Sequence, residues 1–412
     1  MKNKINKLKG SRVEIEVTLD DKEFQQYYQP QYDAAASSIT IKGFRPGTAP
    51  KNLVDQAIDH EKLFTAAVQD AVRSTLDDIK KENNWSLIDH PKVEVTDSKE
   101  GVTYKATLTL FPEVELGDYR KIAKKVFSQK NDVKVTDEEI DKTLEYVVKS
   151  RAAETRVARV AATGDLVEID IETASEGKPV ENGSFKNDRF ILGESHFIEG
   201  FDKKLEGKKE GDTATFQITA PKNYWQKELQ GKTLDFTVKV NGVFERKVPA
   251  LNDEFAQTLG PTFKTVDDMK KSVREGLTME KQDKEIEKLR IQAIEQIAKD
   301  AKMDVAEILV ERTLDGIVAD MKRMAPPDAN KNPEALEKEM REKLRDRAVG
   351  NVRGNLAMYQ IAKVEKLEPT KEEVEAEAKK HGFDLNKEYD YIYGTLQNQK
   401  VFKFLESQAT HE

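Results

Sequence analysis

The stretch Gly43-Phe44-Arg45-Pro46-Gly47-Thr48-Ala49-Pro50 decides how the first part of the chain is interpreted. Pro46 has the φ angle that the second residue of a turn requires, and Gly47 can adopt the positive φ that a type II turn needs next. Such a turn presents Phe44 and Arg45 side by side at the tip of a stiff loop. An exposed aromatic residue beside an arginine is typical of a surface that binds a partner.

The charge pattern around this stretch supports the same interpretation. No acidic residue lies between Asp33 and Asp55, although the 412-residue chain has a net charge of -8 and 35% charged residues. The basic residues in this window are Lys42, Arg45 and Lys51. The loop is therefore a local basic patch in an acidic protein, and contact with an anionic partner has to come from such a patch.

Composition limits the classes of function that remain. A chain of this length exceeds one typical core, so we expect two to four domains. It has no cysteine, which excludes disulfides and thiol catalysis and agrees with a reducing cytosol. The five histidines have no metal-ligand spacing, and neither a phosphate-binding glycine loop nor a nucleophile elbow occurs. We therefore expect no cofactor, no metal, no nucleotide and no use of ATP.

Targeting signals are absent from the sequence as given. Lysines at positions 2, 4, 7 and 9 are not followed by an apolar run, which argues against a signal peptide or a membrane anchor. No apolar stretch is long enough to span a bilayer. We therefore expect a cytoplasmic protein without membrane contact.

Hydrophobic periodicity predicts a small α+β domain before residue 112. Apolar residues alternate over 13–19 and again over 102–110, which indicates two half-buried strands. A short helix over 22–36 precedes the loop, and Pro50 suits the first turn of the helix that follows it. That second helix is predicted as one strongly periodic segment whose apolar face runs from Val54 to Ile79.

The middle and the end of the chain differ in pattern. Glycines punctuate a strand-rich segment over 164–243, which begins with a strand at 166–171 and ends with one at 233–240. Thr136 with Glu139 is a capping box that predicts a helix before this segment, and we interpret that helix as an arm linking modules.

Beyond Pro249 the chain is predicted to be nearly all helical. Long helices are expected over 265–301, 305–324 and 333–366, with a break at Pro326-Pro327. Thr370 with Glu373 predicts another helix start. The remaining segment, 386–408, is expected to be a helical pair or one bent helix.

Methionines are concentrated in this helical region. Apart from Met1, they are Met269, Met279, Met303, Met321, Met324, Met340 and Met358. Flexible thioether side chains let a surface adapt to varied apolar ligands, which suits a protein that binds unfolded chains. Filling of gaps between packed helices is the alternative for each methionine taken alone.

The loop resembles the docking signature of the trigger factor family, bacterial chaperones that receive nascent chains at the ribosomal tunnel exit. The family pattern is Gly-Phe-Arg-x-Gly-x-x-Pro, after a strand and before a long helix, and its fixed positions are Gly43, Phe44, Arg45, Gly47 and Pro50. The resemblance implies that Gly43, Phe44, Arg45, Pro46 and Gly47 bind the large ribosomal subunit. The family often has lysines where this chain has Pro46 and Thr48, which predicts weaker electrostatic docking.

The middle segment resembles the FKBP-type peptidyl-prolyl isomerases. The matching stretches occur in order and include Phe190-Ile191-Leu192-Gly193, Phe197-Ile198-Glu199-Gly200-Phe201 and Glu210-Gly211-Asp212. The resemblance implies a catalytic pocket formed by Ile171, Glu181, Phe190, Phe197, Ile198, Phe201, Tyr224 and Phe236. Two departures, Val180 before the carboxylate and Asp188 at a second aromatic position, remove apolar wall and predict reduced activity. Plain core packing is an equally good interpretation of Phe190 and Phe236.

Together these resemblances imply an α+β multidomain protein. We expect a ribosome-docking domain over 1–112, an arm over 113–150, an FKBP-like antiparallel β domain over 151–246 and an extended all-α chaperone domain over 247–412. The family architecture makes one central body of the arm and the helical domain, with the other two domains at opposite ends. It also implies nascent and unfolded chains as partners, and a homodimer away from the ribosome.

Three alternatives remain open at this point. One is an isomerase whose flanking helices only recruit substrates or dimerise. A second is a free cytosolic FKBP-type isomerase and holdase with little ribosome binding, which Pro46 and Thr48 favour. A third, a periplasmic chaperone-isomerase, is opposed by the missing signal peptide.

Overall fold

A computed structural model describes residues 1–45, 47–97, 101–195, 197–224, 226–324 and 333–409. The chain forms two compact units. One comprises Met1–Asn131 and Glu285–Glu412, and the other comprises Asp132–Lys284. Each unit contains both helices and strands, as the sequence predicts.

A four-stranded antiparallel sheet opens the first unit, with strand order β1-β2-β4-β3. The strands are β1 (Lys2–Leu8), β2 (Arg12–Leu19), β3 (Lys92–Asp97) and β4 (Val102–Thr109). Alternate residues of β2 and β4 are buried, because one face of these central strands packs on helices and the other faces solvent. This confirms the two strands that the alternation predicts.

Helices α1 (Asp21–Ser38) and α3 (His60–Asn83) pack on the buried face of this sheet, and the loop lies between α1 and the short helix α2 (Lys51–Ala57). The prediction of a single helix through Val54 and Ile79 is wrong, because Asp59 accepts a hydrogen bond from the Lys62 N–H and starts a new helix there. The loop follows α1, which confirms the helix predicted over 22–36, whereas the quoted family pattern has a strand at this place.

Over its described residues, the rest of the first unit is helical apart from a two-stranded ladder, in which β5 (Val114–Glu115) pairs with β12 (Lys302–Met303). Its other elements are α4 (Tyr119–Phe127), the end of α7 (Val266–Asp300), α8 (Glu307–Met324), α9 (Pro333–Glu365), α10 (Lys371–His381) and α11 (Leu385–Ser407). Buried side chains of α4, α7, α9 and α11 form one apolar core.

The second unit consists of a β domain and three helical segments. Its elements are α5 (Asp137–Ser150), β6 (Ala153–Arg156), β7 (Leu166–Ser175), β8 (Lys178–Pro179), β9 (Phe185–Ile191), β10 (Thr213–Thr219), β11 (Thr233–Lys247), α6 (Asp253–Thr258) and the start of α7. The sheet has the order β10-β11-β7-β8, with β6 paired to β11 and β9 paired to β7. All these pairings are antiparallel, as expected for this segment.

Several predicted helix signals are confirmed. Capping boxes form at Thr136 with Glu139 and at Thr370 with Glu373. The segment predicted as a helical pair or a bent helix is the single helix α11. The break predicted at Pro326-Pro327 lies outside the described residues. In the part of the chain that is described, no helix is long and apolar enough to cross a membrane.

Candidate functional site: a basic loop and an aromatic cluster

The loop between α1 and α2 is a tight turn held by its own backbone. The Thr48 N–H donates to the Arg45 carbonyl oxygen at 3.0 Å, and the Thr48 hydroxyl donates to the same oxygen at 2.7 Å. Gly47 has φ of 79°, the positive value that the third position of a type II turn requires. The predicted turn is therefore confirmed at these residues, whereas Pro46 lies outside the described residues.

The side chains at the tip of this loop face solvent. Phe44 is 41% exposed, and Lys42, Arg45 and Lys51 are exposed as well. Gly43 also has a positive φ, 94°, so a side chain at this position would strain the backbone directly before Phe44. An exposed ring in a segment that also carries three exposed cations is suited to an anionic surface that also offers apolar or stacking contacts.

The base of the loop is tied to the helices around it. The Tyr32 hydroxyl of α1 donates to Asp55 Oδ1 of α2 at 2.5 Å, and this hydrogen bond, together with burial, raises the pKa of Tyr32 to about 12. The Lys51 ammonium lies 5.8 Å from the centre of the Tyr32 ring, within cation–π range. These contacts join the two helices that flank the loop, and the sequence gives no local signal for them.

The second unit contains a cluster of phenylalanine rings in its β domain. Phe201 is fully buried, and its ring lies 4.4 Å from that of Phe197 and 5.3 Å from that of Phe236, between ring centres. Phe190 packs edge-on against Phe197 at 5.2 Å. Phe216 completes the cluster by stacking on Phe236 at 5.7 Å. Such rings bury large apolar areas and hold a rigid geometry.

The residues expected in the catalytic pocket fall into two groups by burial. Ile171, Phe190, Phe201 and Phe236 belong to the buried core of the domain. Phe197, Ile198 and Tyr224 are half-buried and pack on that core, and Glu181 is exposed. The structure thus brings all the predicted apolar residues to one cluster, and only the half-buried ones offer surface to a ligand.

The two departures from the family pattern lie on this domain. Val180 is half-buried against the apolar core, and its N–H donates to the Thr173 carbonyl oxygen at 2.9 Å. Asp188 pairs with Ile169 across β9 and β7, next to a bulge where Asn187 has a positive φ. A carboxylate therefore occupies a strand position opposite a buried residue, where an aromatic ring would extend the apolar wall.

The segment that carries Phe197, Ile198 and Phe201 is fixed by one carboxylate. Asp202 Oδ2 accepts the N–H of Gly193 at 2.7 Å and that of Ser195 at 3.3 Å, and the Ser195 hydroxyl donates to Oδ1. Sequence reasoning missed this role, because an aspartate after an apolar motif has no distinguishing local pattern.

The first unit also contains an apolar groove that the sequence did not indicate. Its volume is about 660 Å³, and it lies between one flank of α3 and the edge strand β3. Val93 and Val95 of β3 pair with the buried residues Ala106 and Tyr104, so they share the core face of the sheet, yet both remain exposed. The helix thus leaves part of the apolar sheet face uncovered.

The methionines of the helical region divide between core and surface. Met269 and Met358 are buried, whereas Met279, Met321 and Met324 are exposed, with Met324 reaching 87%. Packing between helices therefore accounts for Met269 and Met358, whereas binding of varied apolar ligands remains an interpretation for the three exposed methionines.

Metal chemistry was not expected from the sequence. Among the residues that the structure describes, no group of three or more histidine, aspartate or glutamate side chains could hold a metal ion.

Comparison with known proteins gives matches along nearly the whole chain. Family models for the bacterial trigger factor protein match residues 1–147, and for its C-terminus residues 265–412. A model of the FKBP-type peptidyl-prolyl cis-trans isomerase matches residues 158–241. The order of these matches is the order of the motifs in the sequence.

Individual relatives agree with the models. The trigger factor of Caldicellulosiruptor saccharolyticus is 31% identical, over 97% of this chain and 97% of its own. That of Acetivibrio thermocellus is 30% identical, over 98% and 99%. A solved structure of a trigger factor chaperone, from work on promiscuous substrate recognition in folding and assembly, is similar in fold with a TM-score of 0.54, at 20% identity over 99% of this chain and all of its own. The chain therefore belongs to the bacterial trigger factor family of chaperones.

Proposed function

We propose that this protein is an ATP-independent chaperone that docks at the ribosomal tunnel exit, shields nascent chains and catalyses X-Pro cis/trans isomerisation. The single observation that carries the proposal is the exposed pair Phe44 and Arg45 on a hydrogen-bonded basic loop. Its partners are the large ribosomal subunit and unfolded polypeptides, and a second copy of the chain when it is off the ribosome. The protein works in the cytoplasm without a cofactor.

Docking relies on the chemistry of the loop. Arg45, Lys42 and Lys51 would contact phosphates or acidic side chains of the ribosome, and such contacts weaken as salt is added. Phe44 supplies an apolar contact that salt does not screen. Because Pro46 and Thr48 stand where relatives often have lysine, we expect the salt-sensitive part of binding to be small.

Shielding relies on apolar surface that the fold leaves open. The groove beside β3 and the exposed methionines of the helical region are available to unfolded segments, which carry apolar side chains in irregular order. Monomeric proteins seldom expose contiguous apolar surface without a binding role. Weak contacts at several such places would hold a chain and still let it leave.

Isomerisation would use the half-buried rim of the aromatic cluster. The barrier to X-Pro rotation, roughly 18–20 kcal/mol, comes from amide resonance, and an apolar site disfavours the charge-separated planar amide relative to the twisted one. Binding that prefers the twisted form lowers the barrier without an acid or a base. Phe197, Ile198 and Tyr224 would contact the proline, with Ile171, Phe190, Phe201 and Phe236 supporting them from below and Glu181 at the mouth.

The proposal divides the chain by task. Residues 1–112 would bind the ribosome and offer the groove beside β3 to clients, residues 113–150 would form the arm, residues 151–246 would act as the isomerase, and residues 247–412 would provide the main surface for clients. The family models that match 1–147, 158–241 and 265–412 support this division without fixing its boundaries.

Ribosome docking is tested by co-sedimentation with bacterial 70S ribosomes at low salt, wild type against Phe44→Ala/Arg45→Ala. We expect the wild type to pellet with ribosomes and the double variant to remain in the supernatant. Phe383→Ala serves as a matched control, because Phe383 is similarly exposed but belongs to the helical region. Equal pelleting of all three proteins would contradict docking through this loop, and failure of the wild type to pellet would favour the free isomerase and holdase.

Isomerase activity is tested separately with a proline-containing peptide and with proline-limited refolding of a model substrate. Ile198→Ala and Tyr224→Ala should lower kcat/KM at least about tenfold if each contact contributes about 1.4 kcal/mol to the transition state. Phe185→Ala is the control, because Phe185 is 49% exposed and lies outside the ring cluster. Unchanged activity in both rim variants would contradict the proposed pocket.

A further inference from the structure

Three polar side chains at the base of the loop are linked by hydrogen bonds through Asp55, which contributes its carboxylate on one side and its backbone carbonyl on the other. The Tyr32 hydroxyl donates to Asp55 Oδ1 at 2.5 Å, and His60 Nε2 lies 3.0 Å from the backbone carbonyl oxygen of Asp55. The Tyr28 hydroxyl lies 2.8 Å from His60 Nδ1. These hydrogen bonds therefore connect α1, which precedes the loop, with α2 and α3, which follow it.

The direction of each hydrogen bond can be deduced. A carbonyl oxygen only accepts, so His60 Nε2 donates to Asp55. In the neutral ring Nδ1 is then the acceptor, and the Tyr28 hydroxyl donates to it. Burial raises the pKa of Tyr28, and the hydrogen bond to Asp55 raises that of Tyr32, so both hydroxyls keep their protons at neutral pH.

Helix α2 depends on such contacts for its orientation. It has only seven residues, and Pro50 at its start makes no side-chain capping bond. Helices this short are not stable alone in water. Val54 is its one buried side chain, so Asp55 provides the polar attachment to the neighbouring helices. Because the loop ends where α2 begins, the orientation of α2 sets the position of the loop tip.

We propose that Tyr32 and Asp55, joined to α3 through the His60 bond to the Asp55 backbone, are positioning residues for docking through Phe44 and Arg45. This inference rests on the proposed function, since it assigns how that loop is held ready for the ribosome. None of the three residues has to touch the partner. They keep the loop in one arrangement before contact, which reduces the ordering cost of binding.

The test compares substitutions that remove one property at a time. One removes the Tyr32 hydroxyl and keeps the ring, and another removes the Asp55 charge and keeps an acceptor oxygen. Tyr32→Phe keeps the ring beneath Lys51 but removes the donor to Asp55. If it lowers the docking-competent population to about a tenth, the Kd for 70S ribosomes rises about tenfold. Asp55→Ala should have a similar effect. Asp55→Asn keeps an acceptor oxygen and should restore binding to within about twofold of the wild type.

Tyr27→Phe is the matched control for the loss of a tyrosine hydroxyl. Tyr27 lies on the same helix and packs on the apolar core of the domain, but within the described residues its hydroxyl makes no hydrogen bond. We expect ribosome binding of Tyr27→Phe to equal that of the wild type.

A second measurement detects loop position without ribosomes. The chain has no cysteine, so Ala49→Cys gives a single attachment point for a spin label in the loop. We expect faster label motion in Tyr32→Phe and Asp55→Ala than in the wild type, Tyr27→Phe or Asp55→Asn. Raised mobility together with weaker binding supports the inference. Binding or mobility in Tyr32→Phe equal to that in Tyr27→Phe would overturn it. Failure of the wild type to bind ribosomes would overturn the proposed docking. If the loop were then mobile only in Tyr32→Phe and Asp55→Ala, the positioning role of these residues would still be supported.

Discussion

The basic loop before α2 and the segment that carries Phe197 and Phe201 each have a hydrogen-bonded carboxylate at their base, but they present their aromatic rings in opposite ways. Asp55 accepts the Tyr32 hydroxyl at the base of the first loop, where Phe44 is 41% exposed. Asp202 fixes the second segment, where Phe201 is fully buried among other rings. An aromatic ring that faces solvent can contact a partner without stabilising the fold. A buried ring stabilises the fold and also supports the residues that would contact a ligand. We therefore expect the proposed function and the stability to be separable in the first region and coupled in the second.

Phe201→Ala should have the largest effect, because it removes the central ring of the cluster. Truncating a buried phenylalanine costs about 3–5 kcal/mol of unfolding free energy. Hydrogen exchange of amides in β7 and β11 would measure this loss for the domain itself. Phe185→Ala, an exposed phenylalanine on β9, is expected to change protection by less than about 0.5 kcal/mol. Similar effects of the two substitutions would mean that Phe201 is not a core residue.

Asp202→Ala tests the carboxylate beneath the pocket. It leaves the N–H groups of Gly193 and Ser195 without their acceptor, and because these groups are exposed or half-buried the loss should cost about 0.5–1.5 kcal/mol. We expect kcat/KM for the proline peptide to fall with it, because Phe197 and Ile198 are carried by the same segment. Asp235→Ala is the control, since among the described residues the Asp235 carboxylate bonds only the exposed Gln217 amide on the sheet surface. Full activity in Asp202→Ala would contradict this role, because the segment would then keep its conformation without the carboxylate.

The sequence predicts those structural elements whose pattern lies within a few neighbouring residues, and it misses the others. Alternation found β2 and β4, and the spacing of Thr136 and Thr370 from their glutamates found two helix starts. The edge strands β1 and β3 were missed, because all their residues are exposed and give no sign of a buried face. The break before α3 was missed because one capping aspartate overrides a strong apolar period.

The candidate sites show the same limit. The turn at Gly47 and the aromatic residues of the β domain could be found from short motifs. Their supporting carboxylates could not, since Asp55 meets a tyrosine 23 residues away and Asp202 meets backbone groups of a preceding turn. Only the folded chain brings such pairs together.

Glu139 is a third hydrogen-bonded carboxylate, and no exposed or clustered aromatic ring is proposed to depend on it. It accepts from the Lys281 ammonium and the Thr136 N–H, and the pKa of Glu139 is thereby lowered from 4.5 to about 2. Since the folded-state pKa is depressed, its stabilising effect is present above pH 4.5 and is lost as the pH falls towards 2. Glu139→Gln should therefore lower the melting temperature slightly at pH 7 and leave it unchanged near pH 2. Glu138→Gln, in the same turn, is the control. A difference that grows as the pH falls would contradict this sign.

Phe44→Ala should have the smallest effect on stability of all. The ring is solvent-exposed at the tip of the loop, and truncating such a residue changes unfolding free energy by less than about 0.5 kcal/mol. Its loss should nevertheless weaken ribosome binding at least about tenfold, because a central aromatic anchor commonly contributes more than 1.4 kcal/mol to an interface. Melting curves and co-sedimentation of the same preparation measure both quantities. Destabilisation comparable to that of Phe201→Ala would mean that Phe44 packs as a core residue in solution, and the separation of function from stability in this loop would then fail. Unchanged stability with lost binding would instead show that Phe44 contributes to binding and not to folding. Burial would then explain why Phe201 stabilises the fold and Phe44 does not.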